Sequence, residues 1–327
     1  MVSKRPTGIE VAREASVSQS TVSLVLSGHA DGRVSPATQQ RVRDAADKLG
    51  YRPHAAARSL RMGRSSMFVL LVPEVENPFY SRVLEGAEQA AAEHGYVVVL
   101  ASAQSKSAFI DATGTVDGIL TCSYTIPPPA DCSAYVPMIA LDSKTMPGVP
   151  CISLAVGDGM KEAVNHLRDL GHDHIAHIRA KQSTATFQAR NAAFKRAAEG
   201  IFSTQLATPL SASDAQSAAA ELLAKRKEIT AVVCDDDIQA AGVVRAAMAA
   251  GLSIPDDLSV IGFGDTHIAQ MLYPALTSVD LPGEELGRAG IAGLLTILAG
   301  EQPKFVTRLA TRLVCRESTG APKQRVR

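Results

Sequence analysis

The sequence predicts an α/β protein in which a small all-α head and a hinge helix precede two doubly wound α/β lobes. Two observations support this fold class. Three amphipathic helical patterns fill residues 7–50, where no strand-like run occurs, and from residue 67 onward short apolar runs alternate with helical patterns. Such alternation is typical of βαβ units and parallel sheets. A length of 327 residues, of which 46% are hydrophobic, suits two or three domains with apolar cores.

The first two helical patterns are joined by a tight turn, as in a helix-turn-helix unit. Each of the three helices of the head carries its apolar residues on one face. These residues are Val11, Ala12 and Ala15, then Val22, Val25 and Leu26, then Val42, Ala45, Ala46 and Leu49. Ser18 stands where the second helix needs an N-cap, since its hydroxyl can accept a hydrogen bond from a free backbone N–H.

The outward face of the second helix carries short side chains instead of the glutamate and lysine of a merely solvated face. Its residues are Gln19, Ser20, Ser23, Leu24 and Ser27. Hydroxyl and amide groups in this arrangement suit hydrogen bonds to base edges in the major groove of DNA. For residues 7–27 alone, the alternative interpretation is a helical hairpin buried in an ordinary core.

Charge is unevenly distributed along a chain whose formal net charge is zero. Residues 1–65 contain eleven lysines and arginines against five acidic residues, a net charge of +6, so residues 66–327 carry −6. A basic head on an acidic body favours nucleic-acid binding through the head, because phosphates attract the one part and repel the other.

Residues 51–65 are interpreted as the hinge, because Pro53 prevents one continuous helix from Lys48 onward. Strands are predicted over 67–72, 96–100, 116–121, 136–141, 174–179, 230–234 and 258–263, and helices near 79–94, 157–170, 187–200, 214–227, 237–250 and 283–300. The alternating segment TRLATRLVCRES is expected to close the sheets, which should meet near 153–158 and 280–284. The predicted domains are the head (1–50), the hinge (51–65) and a body (66–327) whose lobes cover about 66–155 with 283–305 and about 156–282 with 306–320.

The chain lacks the sequence signals of several other classes of protein. Its five cysteines, Cys122, Cys132, Cys151, Cys234 and Cys315, form no C-x-x-C pair, which argues against a disulfide framework or a zinc site and favours a reducing cytoplasm. The first residues contain no apolar signal-peptide segment, and the longest apolar run, MFVLLV, is too short to span a membrane. Phosphate-loop and serine-hydrolase motifs are absent from the sequence. The sequence therefore predicts no enzyme activity and no cofactor.

Two clusters of titratable residues suggest further interpretations. His172, His174 and His177 could ligate a metal, but no cysteine or carboxylate pattern completes a site, so a structural role is expected. Three aspartates, 235–237, precede a helix, where they can cap it and interact with its dipole. They could equally lie at the rim of a binding cleft, and the two interpretations are compatible.

The order of these segments resembles the lac-repressor family of bacterial transcription regulators. The matching residues are VAREASVSQSTVS (11–23), LGYRPHAAARSL (49–60), NPFY (77–80), VDGI (116–119), HLRDLGHDHI (166–175), PDDLSVIGFGD (255–265) and PALTSV (274–279). The resemblance implies a DNA-binding head, a hinge helix in the minor groove and a periplasmic-binding-protein-like body with an effector cleft between its lobes. It further implies a repressor that binds operator DNA as a homodimer and responds to a sugar or another small polar metabolite, with no membrane partner.

The resemblance and the outward helix face together give the candidate site residues, among which Leu60 would be the wedge that opens a base step. The DNA-binding candidates are Ser18, Gln19, Ser20, Thr21, Ser23, Leu24, Ser27, Ser35, Thr38, Tyr51, His54, Ala57, Arg58 and Leu60. The effector-binding candidates that the resemblance implies are Asn77, Phe79, Tyr80, Arg190, Asp236 and Asp265.

The sequence departs from the family pattern at four of its positions. Ser16 stands where a turn glycine is usual, at a cost of roughly 1–2 kcal/mol if its backbone is left-handed. Leu24 replaces a common arginine or lysine. Gly264 and Ala155 stand where aspartates are frequent, which puts a sugar effector in doubt, and Arg190 favours an anion or a polyol without choosing between them. Two other classes stay open: an α/β enzyme or an effector-binding protein, each fused to a DNA-binding head.

Overall fold

The computed structural model describes residues 6–52, 64–102, 116–123, 136–303 and 306–323. The chain divides into two compact units, Met1–Ser65 and Ser66–Arg327. The first unit is called the head and the second the body, and each is described by itself. The predicted hinge helix lies outside the described residues.

The described part of the head contains three helices, α1 (Gly8–Glu14), α2 (Gln19–Leu26) and α3 (Pro36–Leu49). Each helix begins at a hydroxyl cap, since the side chains of Thr7, Ser18 and Ser35 accept from the N–H group three residues later. The predicted N-cap at Ser18 is therefore confirmed. Ser16, in the turn between α1 and α2, has a φ of 53°, so a serine stands at the left-handed position where a glycine would be unstrained.

The apolar faces of the three helices meet in one small core, as predicted. Its buried residues are Val11, Ala12, Ala15, Val22, Val25, Ala30, Val42, Ala45 and Ala46, with Val17, Leu26, Val34, Leu49 and Tyr51 partly buried against them. Because α2 contributes Val22 and Val25 to this core, its remaining sides are free to present the polar side chains.

The body is built from strands and helices, which alternate one by one from Cys151 to Leu309. In chain order its elements are β1 (Met67–Val72), α4 (Pro78–Ala92), β2 (Val97–Ser102), β3 (Gly118–Cys122), β4 (Met138–Leu141), β5 (Cys151–Leu154), α5 (Val156–Asp169), β6 (His174–Ala180), α6 (Ala185–Ala197), β7 (Phe202–Thr208), α7 (Ala212–Lys225), β8 (Ala231–Cys234), α8 (Asp237–Ala249), β9 (Ser259–Gly264), α9 (His267–Met271), β10 (Thr277–Asp280), α10 (Gly283–Leu298), β11 (Val306–Leu309) and β12 (Arg312–Val314).

Two six-stranded sheets organise the body into two lobes. The strand order is β11-β5-β4-β3-β1-β2 in the first lobe and β12-β10-β9-β8-β6-β7 in the second. All pairings are parallel except that of β10 with the short strand β12. The largest apolar cluster contains residues of both lobes, including Phe68, Leu120, Met160 and Phe263, so the lobes share one continuous core.

The chain passes between the two sheets three times. Two crossings, between β5 and α5 and between β10 and α10, fall where the sequence predicts them. The third corrects a predicted boundary, because residues 306–309 were assigned to the second lobe but β11 pairs with β5 in the first, with Leu309 opposite Leu154. Since Ala310 and Thr311 alone separate β11 from β12, the alternating pattern runs through both strands and does not mark the change of sheet.

The predicted strands and helices correspond to elements of the body, but three strands and one short helix were missed. Strand β7 lies at an edge of its sheet and its sequence FSTQLAT is largely exposed or half-buried, so it has no apolar run. Strands β5 and β10 have four residues each, and α9 has five. None of the helices among the described residues combines the length and apolar content needed to cross a bilayer.

Candidate functional site

A cavity of about 320 Å³ lies between the two lobes of the body. Its volume is in the range of small-molecule sites. Its walls are built largely by residues that follow the carboxyl ends of the parallel strands of both sheets, the position at which open α/β sheets bind ligands. Its main polar and aromatic lining residues are Glu74, Asn77, Phe79, Tyr80, Ser123 and Asp142 from the first lobe and Gln182, Thr184, Thr186, Phe187, Arg190, Asp236, Phe263 and Thr266 from the second.

Five of the six residues predicted to bind an effector lie on this cavity wall: Asn77, Phe79, Tyr80, Arg190 and Asp236. The sixth, Asp265, is not brought to the cavity wall. Its carboxylate forms an ion pair with Arg316 at 2.6 Å, and it is not a lining residue of the cavity. Its backbone is left-handed, with a φ of 47°, because the chain turns sharply after β9.

Arg190 is the cation of the cavity wall, and it is only 4% exposed. Its guanidinium lies over two aromatic rings, 4.1 Å from the centroid of Phe263 and 4.9 Å from that of Phe187. Both rings attract the cation and hold its plane. One terminal nitrogen, Nη1, donates to the backbone carbonyl of Asp235, and the other, Nη2, donates to the Thr186 hydroxyl at 3.4 Å.

Three carboxyl groups share the cavity wall with this single guanidinium. Burial, and after it the neighbouring Asp237, raise the pKa of Asp236 to about 7. Burial also raises the pKa of Asp142, against the opposing effect of Arg190, and raises the pKa of Glu74. The wall therefore offers an excess of acidic groups over cations.

Asn77 and Asp236 join the two lobes across the cavity. The amide of Asn77 accepts from the Phe79 N–H at 2.9 Å and so caps α4, while Asp236 accepts from the Ile238 N–H at 2.8 Å and caps α8. The free amide N–H of Asn77 donates to the second oxygen of Asp236 at 2.9 Å. The N-termini of two helices from opposite lobes thus meet at one hydrogen bond.

Sequence reasoning missed several lining residues that a simple rule would have found. Glu74, Ser123 and Asp142 each follow a strand of the first sheet by one or two residues, at the edge where ligands bind. Phe187 and Thr186 lie one helical turn before Arg190, on the same face of α6. Gly264 also lines the cavity, with a φ of 131° that strains any other residue, so an aspartate at this position would not fit the observed backbone.

The histidine cluster has protein partners at each ring. The His172 ring lies 2.8 Å from the Thr230 hydroxyl and 3.0 Å from the Ser259 hydroxyl, and the His174 ring lies 2.8 Å from Asp173. The His177 ring bonds Asp235 in the core. No group of three or more potential metal ligands occurs among the described residues.

The three aspartates before α8 have different partners. Asp235 is bound by His177, and Asp236 lies at the cavity. Asp237 is buried and accepts from the Ser278 hydroxyl at 2.6 Å and the Thr266 N–H at 2.7 Å, which ties α8 to β10. Both interpretations of the cluster therefore apply, capping and cleft rim, with Asp236 in both roles.

In the head, the predicted DNA-binding face of α2 is accessible. Gln19, Ser20 and Ser27 are exposed, and Thr21, Ser23 and Leu24 are half-buried. The hydroxyls of Ser18 and Ser35 cap their helices and contact the Thr21 and Thr38 hydroxyls at 2.8 and 2.9 Å. The Tyr51 ring packs against the head core, and the remaining candidates, His54, Ala57, Arg58 and Leu60, lie outside the described residues.

The described basic residues of the head are on its surface. Arg13, Arg33, Arg41, Arg43, Lys48, Arg52 and Arg64 are all exposed. Lys48 pairs with Glu14 at 2.6 Å and Arg52 with Asp47 at 3.8 Å, whereas Arg13, Arg33 and Arg41 have no ion pair within the described part of the head. Their charges are available to phosphate groups.

A basic helix-turn-helix head on a two-lobed body with an inter-lobe cavity defines a ligand-responsive DNA-binding regulator. Residues 9–54 match the family of bacterial regulatory proteins named lacI, and residues 164–319 match the periplasmic binding protein-like domain. The chain is 31% identical to the ribose operon repressor of Halalkalibacterium halodurans over 95% of its length and 96% of that protein. It is 30% identical to the transcriptional repressor CytR of Escherichia coli K12 over the same shares. The chain belongs to the lacI family of transcriptional repressors.

Solved structures agree with this family assignment. The lac repressor dimer bound to operator and the anti-inducer ONPF matches with a TM-score of 0.83 and 25% identity, over 97% of this chain and 100% of that one. A lacI-family regulator from Enterococcus faecium with bound ribose matches with a TM-score of 0.72 and 29% identity, over 78% of this chain and 99% of that one. The first match covers nearly the whole chain and the second about three quarters of it.

Proposed function

We propose that this protein represses transcription as a homodimer on an operator and that an uncharged polyhydroxylated metabolite, of the size of a sugar, binds between its lobes. The observation that carries the effector class is the ratio of acidic groups to cations in the cavity wall. Glu74, Asp142 and Asp236 share the wall with one guanidinium, and burial already disfavours the ionisation of all three carboxyl groups, so the negative charge of a phosphorylated or carboxylated ligand would have one cation and three acidic groups around it. Hydroxyl groups can hydrogen-bond to carboxyl groups in either protonation state and accept from Arg190.

The cavity supplies the other features that a sugar needs. The rings of Phe79, Tyr80, Phe187 and Phe263 offer apolar faces, and Ser123 and Thr184 offer hydroxyls. The loss of the family aspartate at Gly264 is compensated, because carboxylates reach the cavity from other strand ends. Relatives with ribose in their names or as bound ligand, and a cellobiose complex of the regulator CelR, support the same class.

Calorimetric titration of the full chain tests the effector class. D-ribose, lactose and cellobiose are compared with D-ribose 5-phosphate, which differs from ribose by its charge. We expect one uncharged sugar to bind and the phosphate to bind at least about tenfold more weakly, or about 1.4 kcal/mol. Arg190→Ala should abolish this binding, while Arg245→Ala, a surface arginine of α8, should leave it unchanged. Tighter binding of the phosphate would contradict the proposal.

We propose that the outward face of α2 reads the operator bases. Gln19 and Ser20 are exposed at the start of this helix, where recognition helices contact base edges. Selection from randomised DNA by the purified full chain should give a two-fold symmetric site. Gln19→Ala should change the base enriched at one position of each half-site, whereas Gln40→Ala, an exposed glutamine of α3, should change none. An identical consensus for all three proteins would refute the assignment.

We further propose that the protein acts by binding and not by turnover, in the cytoplasm, where its operator lies. The cavity contains no nucleophile hydrogen-bonded to a base among its described lining residues. Recovery of the titrated sugar unchanged after prolonged incubation with the protein checks this, and its conversion to a product would contradict it.

A further inference from the structure

The position of Arg190 depends on groups that carry no charge. Its guanidinium lies over two aromatic rings, and its terminal nitrogens donate to the Asp235 carbonyl and the Thr186 hydroxyl. No carboxylate among the described residues forms an ion pair with it. Since rings and a hydroxyl are tolerant of small displacements, the Asp235 carbonyl is the most rigid of these contacts.

The Asp235 carbonyl is rigid because the rest of Asp235 is fixed to strand β6. Its N–H donates to the Ile178 carbonyl at 3.0 Å. Its carboxylate accepts from the Ala180 N–H at 2.8 Å and from His177 Nε2 at 2.9 Å. Asp235 and His177 are both fully buried. A buried carboxylate with these partners cannot rotate without leaving a donor unsatisfied.

The His177 ring is held from its other side as well. Its Nδ1 accepts from the Gln205 amide at 3.0 Å, and the same amide donates to Asn191 Oδ1 at 2.8 Å. Asn191 directly follows Arg190 on α6. The hydrogen bonds therefore form a closed circuit that leaves α6 at Asn191, crosses β7 and β6, and returns to α6 at Arg190.

We propose that His177 and Asp235 are positioning residues for the effector, because they fix the carbonyl to which Arg190 donates. The proposal rests on the proposed role of Arg190 in effector binding. An apolar pair would fill the same core volume, so a buried histidine–aspartate pair is not required for burial alone. The circuit gives the pair a function: it sets where the guanidinium stands in the cavity wall.

Two amide substitutions at His177 separate positioning from stability. In His177→Gln the amide nitrogen reaches the place of Nε2 and can still donate to Asp235, whereas in His177→Asn the shorter side chain cannot. Full-length protein labelled with ¹⁵N-arginine gives one Nε–H signal per ordered arginine, and that of Arg190 is identified by its loss in Arg190→Lys. We expect the Arg190 signal to keep its position in His177→Gln and to shift or broaden beyond detection in His177→Asn. The same signal in both variants would overturn the proposal.

His172→Asn is the matched control. His172 is also buried and also hydrogen-bonded on both sides, but its partners, Thr230 and Ser259, do not contact Arg190. The control should leave the Arg190 signal in place, and an equal displacement by both asparagine variants would also overturn the proposal. Asp235→Asn is measured in parallel. It places an amide N–H group where the Ala180 N–H and the His177 Nε2–H already point, so it should displace the Arg190 signal. This variant tests the proposal if His177→Asn does not fold.

Calorimetry with D-ribose adds a functional measurement. Where ribose binds the wild type, its Kd should be at least about tenfold higher in His177→Asn than in His177→Gln, and equal values would count against positioning. If ribose does not bind the wild type, ribose is excluded as the effector. The Arg190 signals still decide whether His177 and Asp235 position Arg190.

Discussion

Asp236 caps α8 and at the same time lies in the wall of the cavity, and the two roles make opposite demands on its proton. As a cap and as the acceptor of the Asn77 amide it is best ionised, yet burial beside Asp237 raises its pKa to about 7. Burial dominates because the hydrogen bonds from Ile238 and Asn77 do not offset the lost hydration of the charge. The stability of the body should therefore depend on this proton.

The expected pH dependence follows from the direction of that shift. In the unfolded chain Asp236 ionises near its ordinary pKa of 3.8, while in the folded body it keeps its proton up to about 7. Its contribution to stability is full below pH 3.8 and is lost as the pH rises to about 7, with a slope of at most about 1.4 kcal/mol per pH unit. Asp236→Asn preserves the N-cap of α8 and removes the ionisable carboxyl group.

Urea unfolding of both proteins between pH 4 and 8 provides the measurement. The free energy of unfolding of Asp236→Asn relative to wild type should rise across this range and level off above pH 7. Asp142, whose pKa burial also raises, is present in both proteins and cancels in the difference. A difference that does not change with pH would show that Asp236 ionises normally.

Leu24 is the residue of α2 that departs from the family pattern, in which an arginine or lysine is common. It is half-buried on α2, between the buried Val22 and Val25 that anchor the helix. A leucine at this position can contact a thymine methyl, whereas the usual arginine would prefer guanine through bidentate bonds. Leu24→Arg should therefore shift one half-site position from T/A towards G/C by about 1–3 kcal/mol. Randomised-operator selection with both proteins checks this, and an unchanged consensus would mean that Leu24 packs against the head.

Helices α4 and α10 of the body pack closely against each other, and glycines permit it. A Cβ atom at Gly86 would lie 1.9 Å from the Glu284 carbonyl oxygen, and one at Gly287 would lie 2.0 Å from that of Val83. Backbone atoms cannot move aside as a flexible side chain can, so any larger residue separates the two helices. This packing supports the N-terminus of α4, which brings Asn77, Phe79 and Tyr80 to the cavity.

Gly86→Ala should destabilise the body by at least about 1–3 kcal/mol through overpacking. Gly157→Ala is the matched control, because a Cβ there would lie 3.7 Å from Ala193 in ordinary contact. Replacing this helical glycine should be neutral or stabilising by up to about 1 kcal/mol. The denaturant midpoint of Gly86→Ala should be lower than that of the wild type, and that of Gly157→Ala should be equal to it or higher. A Gly86→Ala variant as stable as the wild type would show that the helices can separate freely.

Sequence patterns predicted the helices that bury one apolar face and the strands that are buried on both faces. The head helices and strands such as β1 have clear apolar faces or runs, whereas β7 is polar because it lies at a sheet edge. The site was predictable where a motif carried it, as for Asn77 in NPFY and Arg190. Asp142 and Glu74 have no motif, and their place at the cavity comes from strand order, which a sequence pattern does not contain. The hydrogen-bond circuit through His177 likewise requires three strands and a helix to be assembled.

The two units of the chain have opposite charges, and this difference should control DNA binding. The head carries +6 and the body −6. Removal of residues 1–65 should abolish operator binding and leave a folded body that still binds its effector, since the body has its own core and the whole cavity. Gel-shift and calorimetric measurements on the same preparation check both parts. Retained operator binding by the body alone would contradict the assignment of DNA binding to the head.

Operator affinity of the full chain should also fall steeply with salt, because lysines and arginines that contact phosphates release condensed counterions. Each such contact contributes a slope of about 0.9 to the dependence of log affinity on log salt concentration. Arg13, Arg33 and Arg41 are exposed and without ion pairs in the described head, so replacing one that contacts phosphate by glutamine should lower the slope by about one and leave the selected sequence unchanged. Arg288→Gln, an exposed arginine of α10, should leave the slope unaltered. If none of the three head variants changes the slope, the positive charge of the head does not contact the DNA backbone through these residues, and the phosphate contacts must come from elsewhere in the chain.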